Sequence, residues 1–283
     1  MLDAFAGAAK DSADETGAAP VMPTLERFST SLGERLAGPA NAPYRSEFKG
    51  GLNDQDQPWL NSRAFVPFAQ SNVDTMLFQG NVTHTWTGEP EAEPSGGLGL
   101  GYRRLFGEGE WLAGANAFMD DGWSGDSARG SFGGELRTAP IDVTMNYYTP
   151  YSTGTAAEWQ PSAASGYDYD LRLKIPYIPS ATVSVGGGSW AFEPTLGLME
   201  SKRLGVSFAP LPYLALDGRM DRSADMPAAY SLGLRFTLPL DGKPRAVSQG
   251  VFDDRMFQSS SVAERSLDII QRDEAPHYGF DGG

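Results

Sequence analysis

The sequence predicts an all-β fold: a twelve-stranded antiparallel transmembrane β-barrel, with a short N-terminal helix before it and a C-terminal linker or plug segment after it. Three observations predict it. Within residues 166–175, Tyr167, Tyr169, Leu171, Leu173 and Ile175 alternate with Asp168, Asp170, Arg172 and Lys174. Successive side chains of a strand point to opposite faces, so this segment has one apolar wall and one ionic wall. Weaker versions of the pattern recur about a dozen times along the chain, as expected where lipid lies outside a barrel and water inside it. Finally, the segments between these stretches alternate in length, short after even strands and mostly longer after odd ones.

In chain order, residues 1–23 are rich in Ala, Asp and Gly and read as disordered. Thr24–Leu36 offers a capping Thr24 and an apolar stripe of Leu25, Phe28, Leu32 and Leu36, which predicts a short periplasmic helix. The strands follow as Tyr44–Gly51, Trp59–Phe68, Asp74–Trp86, Gly96–Arg104, Trp111–Asp120, Ala128–Arg137, Ile141–Thr149, 166–175, Ala181–Ala191, Ser201–Ala209, Tyr213–Asp221 and Ala229–Leu238. In the third, Met76, Phe78, Val82 and Trp86 oppose Gln79, Asn81, Thr83 and Thr85; in the twelfth, Leu232, Leu234 and Phe236 oppose Ser231, Arg235 and Thr237. The short connections include Ala69–Val73 and Thr138–Pro140, the longer ones Thr87–Ser95 and Pro150–Ser165. Short turns mark the periplasmic rim of such barrels, which places both chain ends there. Aromatic residues near strand ends, Trp59, Phe65, Phe68, Trp86, Tyr102, Phe106, Trp111, Tyr147, Tyr148, Tyr177, Trp190 and Tyr213, read as interfacial girdles. The resulting division is 1–42 for the disordered start and helix, 43–240 for the barrel and 241–283 for the tail.

Composition narrows the classes. The chain has 283 residues, no cysteine and a formal net charge of −14. It therefore has no disulfide framework or thiolate metal site, and its acidity argues against a nucleic-acid partner. The mean hydropathy of −0.34 and the lack of a long apolar run exclude a helical membrane protein but not a barrel, half of whose strand residues face water. The N-terminus has neither a basic region nor a long apolar stretch, so the export signal a barrel needs is expected to have been removed or to lie outside the start as given.

No catalytic constellation is visible, and neither a cofactor nor a metal is expected. The two histidines, His84 and His277, have no nucleophile partner that the sequence places beside them. The acidic pairs Asp120-Asp121 and Asp253-Asp254 read as solvated loop or tail charges, and residues 120–126 as a plain extracellular turn. Gly186-Gly187-Gly188 has neither the Lys nor the helix of a phosphate loop and reads as relief of crowding within a strand. The residues predicted to line the pore are Arg103, Glu135, Arg137, Asp168, Asp170, Arg172, Lys174, Asp217, Arg219 and Arg235. Each by itself is what any hydrated bore requires; as a set of mixed sign, some of them are expected to hold a linker. The tail, with Met256, Phe257, Val262, Leu267, Ile269 and Ile270, reads either as that linker or plug with a helical turn, or as a periplasmic extension.

Several motifs in order resemble the intimin–invasin family of inverse autotransporters. These are Phe65-Val-Pro-Phe68 with Asp74-Thr-Met-Leu-Phe-Gln-Gly80, Gly97-Leu-Gly-Leu-Gly-Tyr-Arg-Arg104, Trp111-Leu-Ala-Gly-Ala-Asn-Ala-Phe118, Gly166-Tyr-Asp168, Gly205-Val-Ser-Phe-Ala-Pro-Leu-Pro212, and Asp268-Ile-Ile-Gln-Arg272 after the barrel. The resemblance runs from Tyr44 to Arg272. It implies a twelve-stranded outer-membrane barrel of type V secretion, whose linker (here Asp268, Ile269, Ile270, Gln271 and Arg272) returns through the lumen to carry an adhesive C-terminal passenger. It also implies lipid, the barrel-assembly machinery and periplasmic chaperones as partners. A closed barrel has no free edges, so a monomer is expected. The sequence departs from the family after Arg272, where it runs through His277 to Gly283 without the family's immunoglobulin-like repeats, so no passenger is expected within this chain. A free-standing barrel with a structural or small-solute pore role stays open as the alternative. A soluble all-β binding protein fits the apolar strand faces and the alternating connections less well.

Overall fold

The computed structural model describes residues 45–86, 94–122, 128–150, 164–192, 197–211, 213–223 and 226–239, and in the tail 252–254, 256–257 and 262–273. The helix expected at 24–36, the stretch 1–23 expected to be disordered and His277 lie outside these residues, as does most of the turn at 120–126. Twelve strands close into one antiparallel barrel, in which every strand pairs with its neighbours in sequence and β1 with β12. They are β1 (Arg45–Asn53), β2 (Pro58–Gln70), β3 (Asp74–Thr85), β4 (Ser95–Phe106), β5 (Trp111–Gly122), β6 (Ala128–Arg137), β7 (Ile141–Pro150), β8 (Ser165–Ile175), β9 (Ile178–Phe192), β10 (Gly197–Leu211), β11 (Leu214–Ser223) and β12 (Ala229–Pro239). The closing seam sets Arg45 opposite Pro239 and Asn53 opposite Ser231. A closed ladder leaves no unpaired edge, which is the condition for backbone to lie in hydrocarbon.

The alternation read from the sequence decides which face is which. Leu98 is 75% and Leu232 73% exposed on the outside, whereas Arg103 is 1% and Arg129 0% exposed within. A barrel whose large apolar side chains are on its rind and whose arginines are in its bore is inverted relative to a water-soluble sheet protein. Most strands run one to several residues beyond the clearest alternation, whereas β6 keeps the expected bounds and β3 ends at Thr85, one residue short. The largest extensions are in β9 and β10, whose connection shrinks to 193–196 where nine residues were expected. Ladder irregularities fall at Pro67/Ala69, where proline has no N–H to donate, and at Lys174/Ile175 and Phe208/Leu211. The short-turn rim is formed by residues 71–73, 107–110, 138–140, 176–177 and 213.

The girdle assignment needs correction at four positions. Phe65 and Tyr148 are 0% and Trp190 1% exposed, and all three point inward. Phe65 joins an apolar cluster with Leu77, Phe118, Ile269 and Ile270, while the Tyr148 and Trp190 rings pack 5.1 Å apart. Aromatic residues are tolerated in a polar bore when something apolar or cationic covers them, and here the tail and Arg129 do so. A fourth, Trp59, lies beneath the lumenal Lys49, whose Nζ is 5.7 Å from its ring.

Candidate functional site

The site is the interior of the barrel and the stretch of tail inside it, residues 262–273, called the strap below. Its course follows from the ladder of β6 and β7. At the short-turn rim, Tyr177 donates its N–H to the Met256 carbonyl at 3.0 Å and accepts from the Asp253 N–H at 3.0 Å. A 3-10 turn, Val262–Leu267, follows. Arg265 donates to the Thr138 carbonyl in the β6–β7 turn at 2.8 Å and pairs with Asp142. Asp268 pairs with Arg137 at 3.2 Å and with Arg45 at 2.8 Å. The Gln271 carbonyl accepts from Asn146 at 3.4 Å, and the Asp273 carbonyl from Arg129 at 2.6 Å. Residues 265 to 273 thus climb β6 from Thr138 to Arg129, from the short-turn rim towards the other one. Nine strand steps are roughly 30 Å, or about 23 Å along the axis at a tilt near 40°; the end of the 3-10 turn at about 2 Å per residue, the extended residues after it at about 3.3 Å each and the side chains of Arg265 and Arg129 together span it.

Three kinds of contact hold the strap. The first is apolar: Ile269 and Ile270, 3% and 1% exposed, pack among Phe65, Leu77 and Phe118. Burying an aliphatic side chain of this size stabilises by about 1.5–3 kcal/mol. Room for Ile270 exists because β4 carries glycine opposite it; a Cβ on Gly101 would lie 2.6 Å from Ile270 Cδ1. The second grips main chain. Gln79 donates Nε2 to the Ile270 carbonyl at 3.2 Å and accepts the Ile270 N–H on Oε1 at 2.7 Å. One amide thereby satisfies both backbone groups that an extended residue in a bore would otherwise leave unpaired.

The third is ionic. Arg103, Glu135 and Arg137 form a buried triad, with Arg137 Nη2 2.6 Å from Glu135 Oε2 and Arg103 Nε paired to Glu135 Oε1. Arg103 also donates to the Ser266 carbonyl at 2.7 Å and to the Asp268 carbonyl. At the upper end Arg272 pairs with Asp120, donates to Ser131 Oγ at 3.1 Å and stacks over Phe118 at 4.1 Å. Asp273 donates its N–H to Tyr148 Oη at 2.8 Å and to Asp168 Oδ2 at 3.0 Å. Buried ion pairs roughly balance their desolvation cost. On that argument the isoleucines supply most of the net hold and the charges fix the register.

The ten residues predicted to line the pore therefore divide in two. Arg103, Glu135, Arg137 and Asp168 lie against the strap, and Arg137 and Asp168 also border the cavity beside it. Asp170, Arg172, Lys174, Asp217, Arg219 and Arg235 line an open half of the bore, a cavity of about 830 Å³. There Arg172 pairs with Asp170 at 2.8 Å, Arg235 with Asp217 at 3.0 Å, and Arg219 with Asp221. Sequence reasoning missed Asp120, Arg129, Arg45 and Arg203. Asp120 corrects an expectation: placed in a solvated loop, it is 1% exposed and lies between Arg129 and Arg272. β5 extends to Gly122, so the lumenal alternation passes through Asp120 rather than ending at it. Gln79 and Asn146 were placed on the inward face without a role. His84, on β3, has its ring edge-on to Trp86 at 4.4 Å.

A family described as inverse autotransporter, β-domain, matches residues 44–273. The Escherichia coli (strain K12) protein YchO, itself uncharacterized, is 24% identical over 278 residues, covering 86% of this chain and 57% of its own length. The chain thus spans a little over half the length of that curated relative. A membrane-protein structure solved in work on in-meso crystallization aligns with a TM-score of 0.68 at 17% identity, over 84% of this chain and 100% of that one; the likeness is one of fold.

Proposed function

The chain belongs to the inverse autotransporter β-domain family, and from that membership we propose that this outer-membrane barrel anchors a C-terminal passenger and is the pore through which it leaves the cell. In this reading the short-turn rim faces the periplasm. The strap is the linker left in the bore once the polypeptide beyond it has passed through. The observation that supports the reading most is the direction of the strap, which enters at the short-turn rim and reaches Arg129 and Asp120 near the opposite one. A plug with no onward connection has no need to run the length of the bore. Gripping main chain through Gln79 suits a channel that must accept many sequences in passing and then hold one.

The test is to express the chain with an export signal and a reporter domain fused after Gly283. Antibody should then label the reporter on intact cells. A reporter reached only after the outer membrane is opened, on a barrel that still shows heat-modifiable migration, would favour a free-standing barrel instead.

A further inference from the structure

The open half of the bore has a charge opposite to that of the protein. The chain carries a net −14, yet the described lining of the 830 Å³ cavity holds eleven Arg and Lys against six Asp and Glu. Cations of the wall away from the strap contribute to the excess: Lys49, Arg172, Lys174, Arg219 and Arg235 converge from four strands, and Arg203 of β10 stands between this wall and Asp273 of the strap. Asp221 and Asp273 stand close to Arg203 at 3.3 and 3.8 Å and reduce this excess without reversing it. The lining starts at the short-turn rim, with Pro140, Leu211 and Tyr213, and reaches Arg203 and Arg219 deeper in. A concave surface of one predominant sign, walled by protein, concentrates field and draws in counter-ions. Guanidinium groups in such a wall match the geometry of oxyanions.

We propose that this cavity is a binding site for multiply charged oxyanions, of the phosphate or polycarboxylate class, entered from the short-turn rim. The site does not depend on a passenger or on transport; it requires only the folded barrel with its strap in place. It explains why the strap occupies one side of the lumen. Arg45, Arg137 and Asp268 seat the strap at the edge of the cavity, and the cationic wall opposite keeps its solvent access.

The experiment titrates inorganic pyrophosphate into the full chain in a zwitterionic detergent at low ionic strength, followed by calorimetry. Heat-modifiable migration reports folding separately, so loss of the site and loss of the barrel are distinguishable. The folded chain should bind, and added salt should weaken binding, since exposed charges are screened over about 10 Å at 0.1 M. Lys174→Gln with Arg219→Gln should weaken it on the order of tenfold, about 1.4 kcal/mol. Asp170→Asn, which removes an acid from the wall beside Arg172, should strengthen binding severalfold. Absence of binding to the folded chain, or equal affinity in all three proteins, overturns the proposal. If the double variant does not fold, Asp170→Asn decides: unchanged or weaker binding overturns it.

Discussion

Arg272 of the strap and Asp120 of β5 form an ion pair closed off from water: both side chains are 0% exposed, and Arg272 Nη1 lies 2.8 Å from Asp120 Oδ2. Asp120 also receives Arg129 Nε at 3.1 Å. One carboxylate therefore serves two buried guanidinium groups, and the pair is asymmetric. Asp120→Ala strands two charges and should destabilise the barrel by about 3–5 kcal/mol. Arg272→Ala leaves Asp120 with Arg129 and should cost clearly less. Urea unfolding of both variants in detergent measures the difference; equal losses would mean that Asp120 does not join the two.

The glycine at position 101 leaves the space that Ile270 fills. Gly101→Val should expel the strap from this side of the lumen, because the new side chain and Ile270 Cδ1 compete for one volume. Single-channel conductance in planar bilayers should then rise towards that of a chain lacking residues 250–283. Gly134→Ala, where an added Cβ meets nothing closer than the Gly114 carbonyl at 3.8 Å, should leave conductance unchanged. A Gly101→Val channel that conducts like the parent would show that the strap does not obstruct the bore.

Facing can be tested within two adjacent residues of β8. Leu173 is 40% exposed on the outer face, and Arg172 lines the cavity. Leu173→Arg places a charge on the lipid face two residues from the end of β8, where it should cost less than the roughly 2–4 kcal/mol of the bilayer midplane but still a measurable amount, seen as a lower yield of heat-modifiable protein. Arg172→Ala should assemble normally. Similar yields for the two would reverse the assignment.

The main-chain grip of Gln79 is separable from apolar packing. Gln79→Leu strands the Ile270 N–H and carbonyl and should loosen the strap by about 1–3 kcal/mol. Ile270→Val should cost only about 0.5–1.5 kcal/mol. Limited proteolysis of the strap ranks the two. Faster cleavage in Ile270→Val than in Gln79→Leu would assign the hold to side-chain shape alone.

The fold was legible in the sequence because strand periodicity is local. Tyr167 to Ile175 reveal their faces without reference to any partner, and twelve such stretches with short turns leave an antiparallel closure as the economical solution. The same rule placed Arg103, Glu135, Arg137 and Asp168 inside. It failed where a side chain's surroundings come from distant chain. Phe65, Tyr148 and Trp190 resemble girdle aromatics until the strap and Arg129 cover them, and Asp120 resembles a loop acid until Arg272, 152 residues on, meets it.

By itself, then, the sequence determined the strand pattern, the polarity of the two faces and the resemblance of Asp268–Arg272 to a post-barrel motif. Only the tertiary structure decided that the strap lies against one side of the bore, which lumenal charges it meets and which it leaves around an open cavity. The reason is physical: alternation along a strand sets the direction of a side chain, whereas its partner is set by closure of the barrel and by the path of a segment far away in the chain.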